Sequence, residues 1–415
     1  MKILVLADIY PSPEAPVRGI FVREQVKQIR KQHDVQVMVI ERRFLRLFSA
    51  DCLRLIFRCT GIEKSNRIFG KTRRKDLRVA YPVFVVGGQP LHFINGFSAF
   101  YSTLRRLQES TFRPDLIFAF KSFPAGYVGW RMKPRLQVPV VTMEFMGPFS
   151  TYFAEPHRGR MVIEAINGID RTIYSRFQLK EIEAYGVRKD KLGFGHFGVD
   201  VERFCPDRSG SDRRGRVLDS GKFKLLVIGR IEEQKGIQHL IGAMGILKRD
   251  FPGVRLTIVG PVDEGGEKIL ASIEKMGLAE EVQYEGVCPN KNLPSLINDH
   301  DILVSPSLFE TLGLTIIEAF ACGKPVVATM SGGPQETINE RVGLLVNKAD
   351  ANALAAGLRY VMDNYSKYDP KEIRDYAVQN FSYEVVTQRL INLFEELLQM
   401  RGRSRRGQMP GQNPG

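Results

Sequence analysis

A chain of 415 residues, 43% apolar and 26% charged, is too long for one ordinary core and too apolar to be disordered, so two domains are expected. No apolar run approaches the roughly 18 residues of a membrane span, and Met1–Asp8 is too short in its apolar part for a secretory leader, which makes the expectation cytoplasmic. The net charge of +14 is concentrated: residues 42–78 hold twelve Lys and Arg against three acids, and Arg401, Arg403, Arg405 and Arg406 follow in the tail, leaving a near-neutral body without the reading face of a nucleic-acid binder.

In chain order, short apolar runs alternate with helical patterns, the signature of βαβ units and parallel sheets. The first half offers strands over Ile3–Ala7, Val35–Ile40, Val83–Val86, Leu116–Phe120, Val138–Met143, Arg171–Tyr174 and Leu192–Phe194. After the first of these, the proline-stiffened stretch Tyr10 to Val17 leads to Arg18-Gly19 at a helix start. Gly19 would let that loop close over a phosphate, or it is an ordinary β–α turn. Residues 42–59 place Phe44, Phe48, Cys52, Leu55, Ile56 and Cys59 on one face of a helical wheel, with Arg42, Arg43, Arg46, Arg54 and Arg58 mostly on the other. Such a helix suits an anionic leaflet, at about 1 kcal/mol per basic residue near the surface, or it covers its own sheet with its arginines in solvent.

A loop rich in Arg, Gly, Asp and Ser runs from Pro206 to Gly221 and is the best linker. The strand pattern restarts with Phe223–Ile228, Arg255–Val259, Val282–Glu285, Ile302–Ser305, Pro325–Ala328 and Gly343–Val346, and helices are expected between them. The division expected is residues 1–200, a linker over 201–221, a second domain over 222–380, a terminal helix over 381–400 packing back on the first domain, and a disordered basic tail over 401–415. Two doubly wound domains facing across a cleft follow, with ligands outside the carboxyl ends of the strands.

The chemistry-bearing residues fall at such strand ends. Gly229-Arg230 closes one strand and Lys235-Gly236 opens the next helix, so Arg230 and Lys235 would grip a diphosphate; the alternative is a solvated basic pair beside Glu232 and Glu233. The Gly260 turn would bring backbone to a nucleobase, or simply ends its strand. Glu310 and Glu318 flank Thr311, Leu312, Gly313 and Leu314, where a helix start offers free N–H groups to phosphate and the carboxylates accept from sugar hydroxyls. Gly332-Gly333-Pro334 permits close backbone approach. The five cysteines form no CxxC pair and no metal-ligand spacing, and read as small buried side chains.

Gly229-Arg230…Lys235-Gly236, Glu310…Glu318 around Gly313, Gly332-Gly333-Pro334 and Gly198-Val199-Asp200 stand in this order. Together they resemble the retaining GT-B glycosyltransferases of family 4, over residues 1 to about 398. That resemblance implies Arg230 and Lys235 on the donor diphosphate, Glu310 on the transferred sugar and Glu318 on the ribose. The backbone of Thr311 to Leu314, with Gly229 and Gly260, would line the donor, and Gly19 would face it from the first domain. It implies no metal or other cofactor, a UDP- or GDP-sugar donor, and a glycan or lipid-linked acceptor of cell-surface assembly at a membrane. Where the family often has His-Gly, this chain has Glu144, here expected to meet an acceptor or sugar hydroxyl. His196 is the other candidate contact, or a packed histidine. A nucleotide-sugar 2-epimerase and a non-catalytic sugar-nucleotide sensor are the competing readings.

Overall fold

The computed structural model describes residues 1–44 except 14, 16 and 17, and residues 76–406 except 84, 87, 88, 146, 208–214, 216, 218 and 219. The chain divides into two compact units. One holds Met1–Tyr174, Leu179–Gly195 and Thr387–Gly415, and the other Ser175–Gln178 and His196–Val386.

The first unit is built on a seven-stranded parallel sheet. In chain order its strands are β1 (Lys2–Ala7), β2 (Asp34–Phe44), β3 (Asp76–Val83), β6 (Leu116–Phe120), β7 (Val140–Met143), β8 (Arg171–Tyr174) and β9 (Leu192–Phe194). The short pair β4 (Val85–Val86) and β5 (Gln89–Pro90) stands apart as an antiparallel ribbon. The sheet order is β3-β2-β1-β6-β7-β8-β9. The run Leu116-Ile117-Phe118-Ala119-Phe120 is buried at every position, as expected of a central parallel strand covered by helices on both faces.

The second unit repeats the design with β10 (Lys224–Ile228), β11 (Arg255–Val259), β12 (Val282–Tyr284), β13 (Ile302–Ser305), β14 (Val326–Thr329) and β15 (Gly343–Val346). Its order is β12-β11-β10-β13-β14-β15, and every pairing is parallel. A continuous apolar core runs from Leu225 and Leu226 through Ile316 and Phe320 to Leu358 and Phe381. Both units are therefore the doubly wound α/β sheets that the βαβ alternation predicts.

Four expectations are corrected. The third strand is Asp76–Val83 and not the apolar run at Val83–Val86, because β3 pairs with β2 along its whole length. As the edge strand it tolerates Pro82, which lacks an N–H for a further ladder. Second, that same ladder pairs Arg42 with Tyr81 and Phe44 with Val83. Residues 42–44 thus end β2 and do not begin the expected basic helix, whose remaining positions 45–59 lie outside the described residues.

Third, the division falls between Gly195 and His196, ahead of the expected linker. Val217, within that stretch, is 4% exposed and belongs to the second unit's core. Gly198-Val199-Asp200 clips the new unit shut: the Val199 N–H donates to Phe381 O at 2.8 Å and the Tyr383 N–H to Val199 O at 3.1 Å. Fourth, the terminal helix Tyr383–Arg406 continues six residues beyond Met400 into the expected tail, and residues 407–415 lie outside the described residues. From Thr387 onward this helix belongs to the first unit, where Gln25 donates to Thr387 Oγ1 at 2.8 Å and Phe394 meets Phe118 with ring centroids 5.2 Å apart.

Candidate functional site

In the second unit the chain leaves β10 toward β11 and β12 on one side and returns through β13 on the other. Ligands of doubly wound sheets bind outside the strand ends at such a parting, and the sequence motifs meet there. Gly229 follows β10 and Gly260 follows β11. A Cβ on Gly260 would lie 1.7 Å from the Gly229 carbonyl oxygen, so only glycine allows the two turns to touch. The Gly260 N–H donates to Gly286 O and its carbonyl accepts from the Tyr284 hydroxyl, each at 2.8 Å. Its backbone thus makes internal contacts, and close packing on Gly229 requires the glycine.

Lys235 and Glu310 are brought together by two loops. Gly236, with φ 66°, lies so close to the loop after β13 that a Cβ would sit 1.9 Å from Pro306 O. The Leu308 N–H donates to Gln234 O at 2.8 Å, fixing the two segments side by side. From the other direction, Glu310 N–H donates to Ser331 O at 3.0 Å and Glu310 O accepts from Gly333 N–H at 2.7 Å. The Gly332-Gly333 segment is therefore a strap that sets the Glu310 backbone, which its sequence alone did not reveal.

Held in this way, Glu310 presents both oxygens. Oε2 lies 2.7 Å from Lys235 Nζ, and Oε1 accepts from the Gly313 N–H at 3.1 Å. Gly313, at φ 73°, opens the helix Leu314–Ala321. Glu310 thus caps the start of that helix, where backbone N–H groups lack partners of their own. The Lys235 and Glu310 side chains are 26% and 17% exposed, shielded enough for the pair to hold its geometry yet open to a ligand. Thr311 and Leu312 complete the turn, Leu312 buried at 3% exposure.

Glu318 lies on the same helix, one turn after Leu314. Burial pushes its carboxyl up to about 7, with the Arg203 guanidinium opposing the shift. Arg230 is held differently from Lys235. Its guanidinium bridges Glu232 at 2.9 Å and Asp263 at 3.0 Å, with the side chain 55% exposed. The site therefore contains two cations, each already matched by carboxylate, beside a helix start that Glu310 caps.

Of the remaining candidates, Gly19 and Glu144 belong to the first unit and His196 to the second. Gly19, at φ 71°, starts the helix Ile20–Arg30 in the first unit, where a Cβ would meet the Ile9 carbonyl at 2.7 Å. His196 packs edge-on against Phe381 at 5.6 Å, the arrangement of a packed ring. Glu144 is fully buried, and its Oε2 accepts from the Ser122 N–H and the Tyr152 hydroxyl, both at 2.7 Å. It is engaged by protein and does not present that oxygen to a substrate. Sequence reasoning passed over Asp263, Asp8 and Lys121. The last two could have been found by taking the first charged residue after each central strand. Among the described residues no group of three or more His, Cys, Asp or Glu is placed to hold a metal, and no helix is long and apolar enough to cross a membrane.

Known proteins resemble this chain in sequence and in fold. Residues 210–380 match the family described as glycosyl transferases group 1. The chain is 30% identical over 294 residues to a D-inositol 3-phosphate glycosyltransferase of Corynebacterium jeikeium, covering 66% of this chain and 70% of that protein. It is 32% identical over 239 residues to the protein of that name from Segniliparus rotundus, covering 54% and 53%. The chain spans about half the length of the first curated relatives it matches. Among solved structures, the HepE protein of Anabaena in complex with UDP superposes with a TM-score of 0.71 at 19% identity, covering 95% of this chain and all of that one. A sucrose-phosphate synthase of Thermosynechococcus elongatus does so equally, covering 96% and 100%. The fold is that of the GT-B glycosyltransferases, and the chain belongs to the glycosyl transferases group 1 family.

Proposed function

We propose that this protein moves a sugar from a nucleoside-diphosphate sugar to a hydroxyl of a glycan or lipid-linked acceptor, with retention at the anomeric carbon. The observation that carries the reading is the Lys235–Glu310 pair fixed at the start of the helix Leu314–Ala321. A diphosphate seated there would meet helix N–H groups and the Lys235 ammonium, with Arg230 exchanging its carboxylate partners for phosphate oxygens. Glu310 would accept from a hydroxyl of the transferred sugar, and Glu318 from the ribose. In this reading the two cations offset the negative charge that develops on the leaving diphosphate, and no metal takes part.

The step balances without another reagent. The bond from the anomeric carbon to the diphosphate oxygen breaks, the acceptor oxygen bonds to that carbon on the same face, and the acceptor proton passes to the departing phosphate. Cations aimed at the developing charge are the main source of acceleration expected. UDP and UDP-glucose occupy HepE structures, which supports a UDP-sugar as the first donor to try. The inositol phosphate acceptors named for the relatives support a polyol hydroxyl as nucleophile. Residues 42–78 add nine net positive charges to the first unit's sequence, and we assign them to an anionic membrane surface, at the cytoplasmic face where sugar nucleotides are found.

The test is incubation with radiolabelled UDP-glucose, UDP-galactose and GDP-mannose in the presence of membrane extract. Label reaching the lipid or glycan fraction supports the reading. A product formed from donor alone would instead indicate a 2-epimerase, and binding without turnover a sensor.

A further inference from the structure

In the seven-stranded sheet, β1 and β6 are the neighbours at which the chain's connections part, the place where doubly wound sheets bind ligands. Two charged side chains stand there. Asp8 follows β1, Lys121 follows β6, and Lys121 Nζ lies 3.3 Å from Asp8 Oδ2. The Asp8 side chain is 9% exposed, and its other oxygen, Oδ1, has no hydrogen-bond partner among the described residues. Buried carboxylate oxygens are nearly always partnered. Oδ1 is therefore a buried acceptor that the described residues leave without a donor.

The backbone at Lys121 makes the same point independently. Its φ of 74° with ψ of 147° lies in a region otherwise left to glycine. Three hydrogen bonds enforce it. The Lys121 N–H donates to Met143 O at 2.9 Å, its carbonyl accepts from the Gly126 N–H at 2.9 Å, and the next amide, Ser122 N–H, donates to Glu144 Oε2 at 2.7 Å. Strain of this kind survives where surrounding structure over-determines it, and it clusters at working sites. The buried Glu144 carboxylate, itself fixed by the Tyr152 hydroxyl, holds the turn that aims Lys121 at Asp8.

We infer that Asp8 and Lys121 form a subsite for the acceptor's hydroxyl groups, that its ligand is an uncharged polyol face of a carbohydrate, and that Glu144 is a positioning residue for Lys121. The inference rests on the transferase reading above. Adjacent ring hydroxyls satisfy both groups at once, one donating to Asp8 Oδ1 and its neighbour accepting from Lys121 Nζ. A phosphate would set its charge against the Asp8 carboxylate, where like charges repel. Burial raises the Asp8 carboxyl above its ordinary value, with the Lys121 ammonium and Arg42 on β2 opposing the shift.

The test uses the full chain, UDP-[14C]glucose and the glycan and glycolipid fraction of the source cells, with UDP-induced melting shifts measured in parallel. Asp8→Asn and Lys121→Met are each expected to lower transfer at least 100-fold and leave the UDP shift unchanged. Lys121→Arg should recover at least tenfold over Lys121→Met. The double variant Asp8→Asn/Lys121→Gly removes both charges and the strained backbone, so it should melt no lower than wild type while transfer stays lost. Glu144→Gln should recover most of the activity lost in Glu144→Leu, because an amide oxygen accepts the same two hydrogen bonds. Transfer within threefold of wild type in Asp8→Asn or Lys121→Met would overturn the inference and leave the transferase reading standing. A wild type that neither transfers nor shifts with UDP would remove both.

Discussion

The Lys235 ammonium and the Glu310 carboxylate, seventy-five positions apart in sequence, stand 2.7 Å apart at the opening of one helix. Each loop that carries them is set by a glycine: Gly236 lets the Lys235 loop touch Pro306, and Gly332-Gly333 straps the Glu310 backbone. The pair sets an ammonium and a carboxylate together at one helix start, where the proposed reading puts phosphate and sugar hydroxyl. Its consequences can be measured one residue at a time.

Glu310→Ala should abolish sugar transfer and leave the protein folded. The loss expected is about 10²–10³-fold, the scale of removing one aligned transition-state partner. The melting temperature should fall only slightly, since the cap on Gly313 N–H contributes roughly 1 kcal/mol. Steady-state rates and a thermal melt of the same preparation check both halves.

Lys235→Ala should weaken nucleotide binding and slow transfer together, because it removes charge from the diphosphate in the ground and transition states alike. It also leaves Glu310 without its cation. Arg230→Ala should act in the same direction with less effect on stability, since exposed ion pairs contribute about 0–1 kcal/mol. Calorimetric titration with UDP distinguishes a binding loss from a purely catalytic one.

Glu318 supplies a pH dependence with a definite sign. Its folded value near 7 lies above the ordinary carboxyl value of 4.5, so between these values the folded state binds more protons than the unfolded one. Its contribution to stability therefore falls as pH rises through that window. Glu318→Gln should be about as stable as wild type at pH 4.5 and more stable at pH 8, by at most about 3 kcal/mol. Nucleotide affinity of the wild type should rise over the same interval if the ionised carboxyl accepts from the ribose. Melts and UDP titrations from pH 5 to 8 test the two trends.

Gly260→Ala should destabilise the second unit by several kcal/mol, on the order of the largest single-substitution effects. Its φ is 149° and the added carbon would overlap the Gly229 carbonyl. A chemical-denaturation curve showing less than about 1 kcal/mol of loss would contradict the packing role assigned to it.

The proposed association with membranes would be a charge effect and should respond to salt. Flotation with vesicles rich in anionic phospholipid should recover the protein at low ionic strength and release it at high salt. Neutralising the arginines from Arg42 to Arg58 should remove most of that binding, and binding unaffected by either change would end the idea.

Much of the fold was legible because parallel strands buried on both faces write themselves as unbroken apolar runs, as in Leu116–Phe120 and Ile302–Ser305. The edge strand β3 was missed because its charged residues and Pro82 disguise it beside the more apolar Val83–Val86. Arg230, Lys235, Glu310 and Glu318 stood out in the sequence because each sits a fixed step from a strand end or glycine turn. Their pairing did not, since Lys235 meets Glu310 through backbone contacts of Gly236 and Gly333 that side-chain identity does not report. Glu144 looked like a ligand-facing group because its strand-end position fits one. Only the structure shows its carboxylate turned onto Ser122 and Tyr152. Lys121 was passed over although its charge and its place at a strand end are written in the sequence; the left-handed backbone angle that aims it at Asp8 is not.

The most direct test of the central claim is transfer from a labelled sugar nucleotide by the wild-type protein and by Glu310→Ala, run beside UDP-induced melting shifts. The account predicts label in the glycan or lipid fraction for the wild type, none for the variant, and a UDP shift in both. Equal transfer by the two proteins, or no transfer and no shift in the wild type, would contradict it.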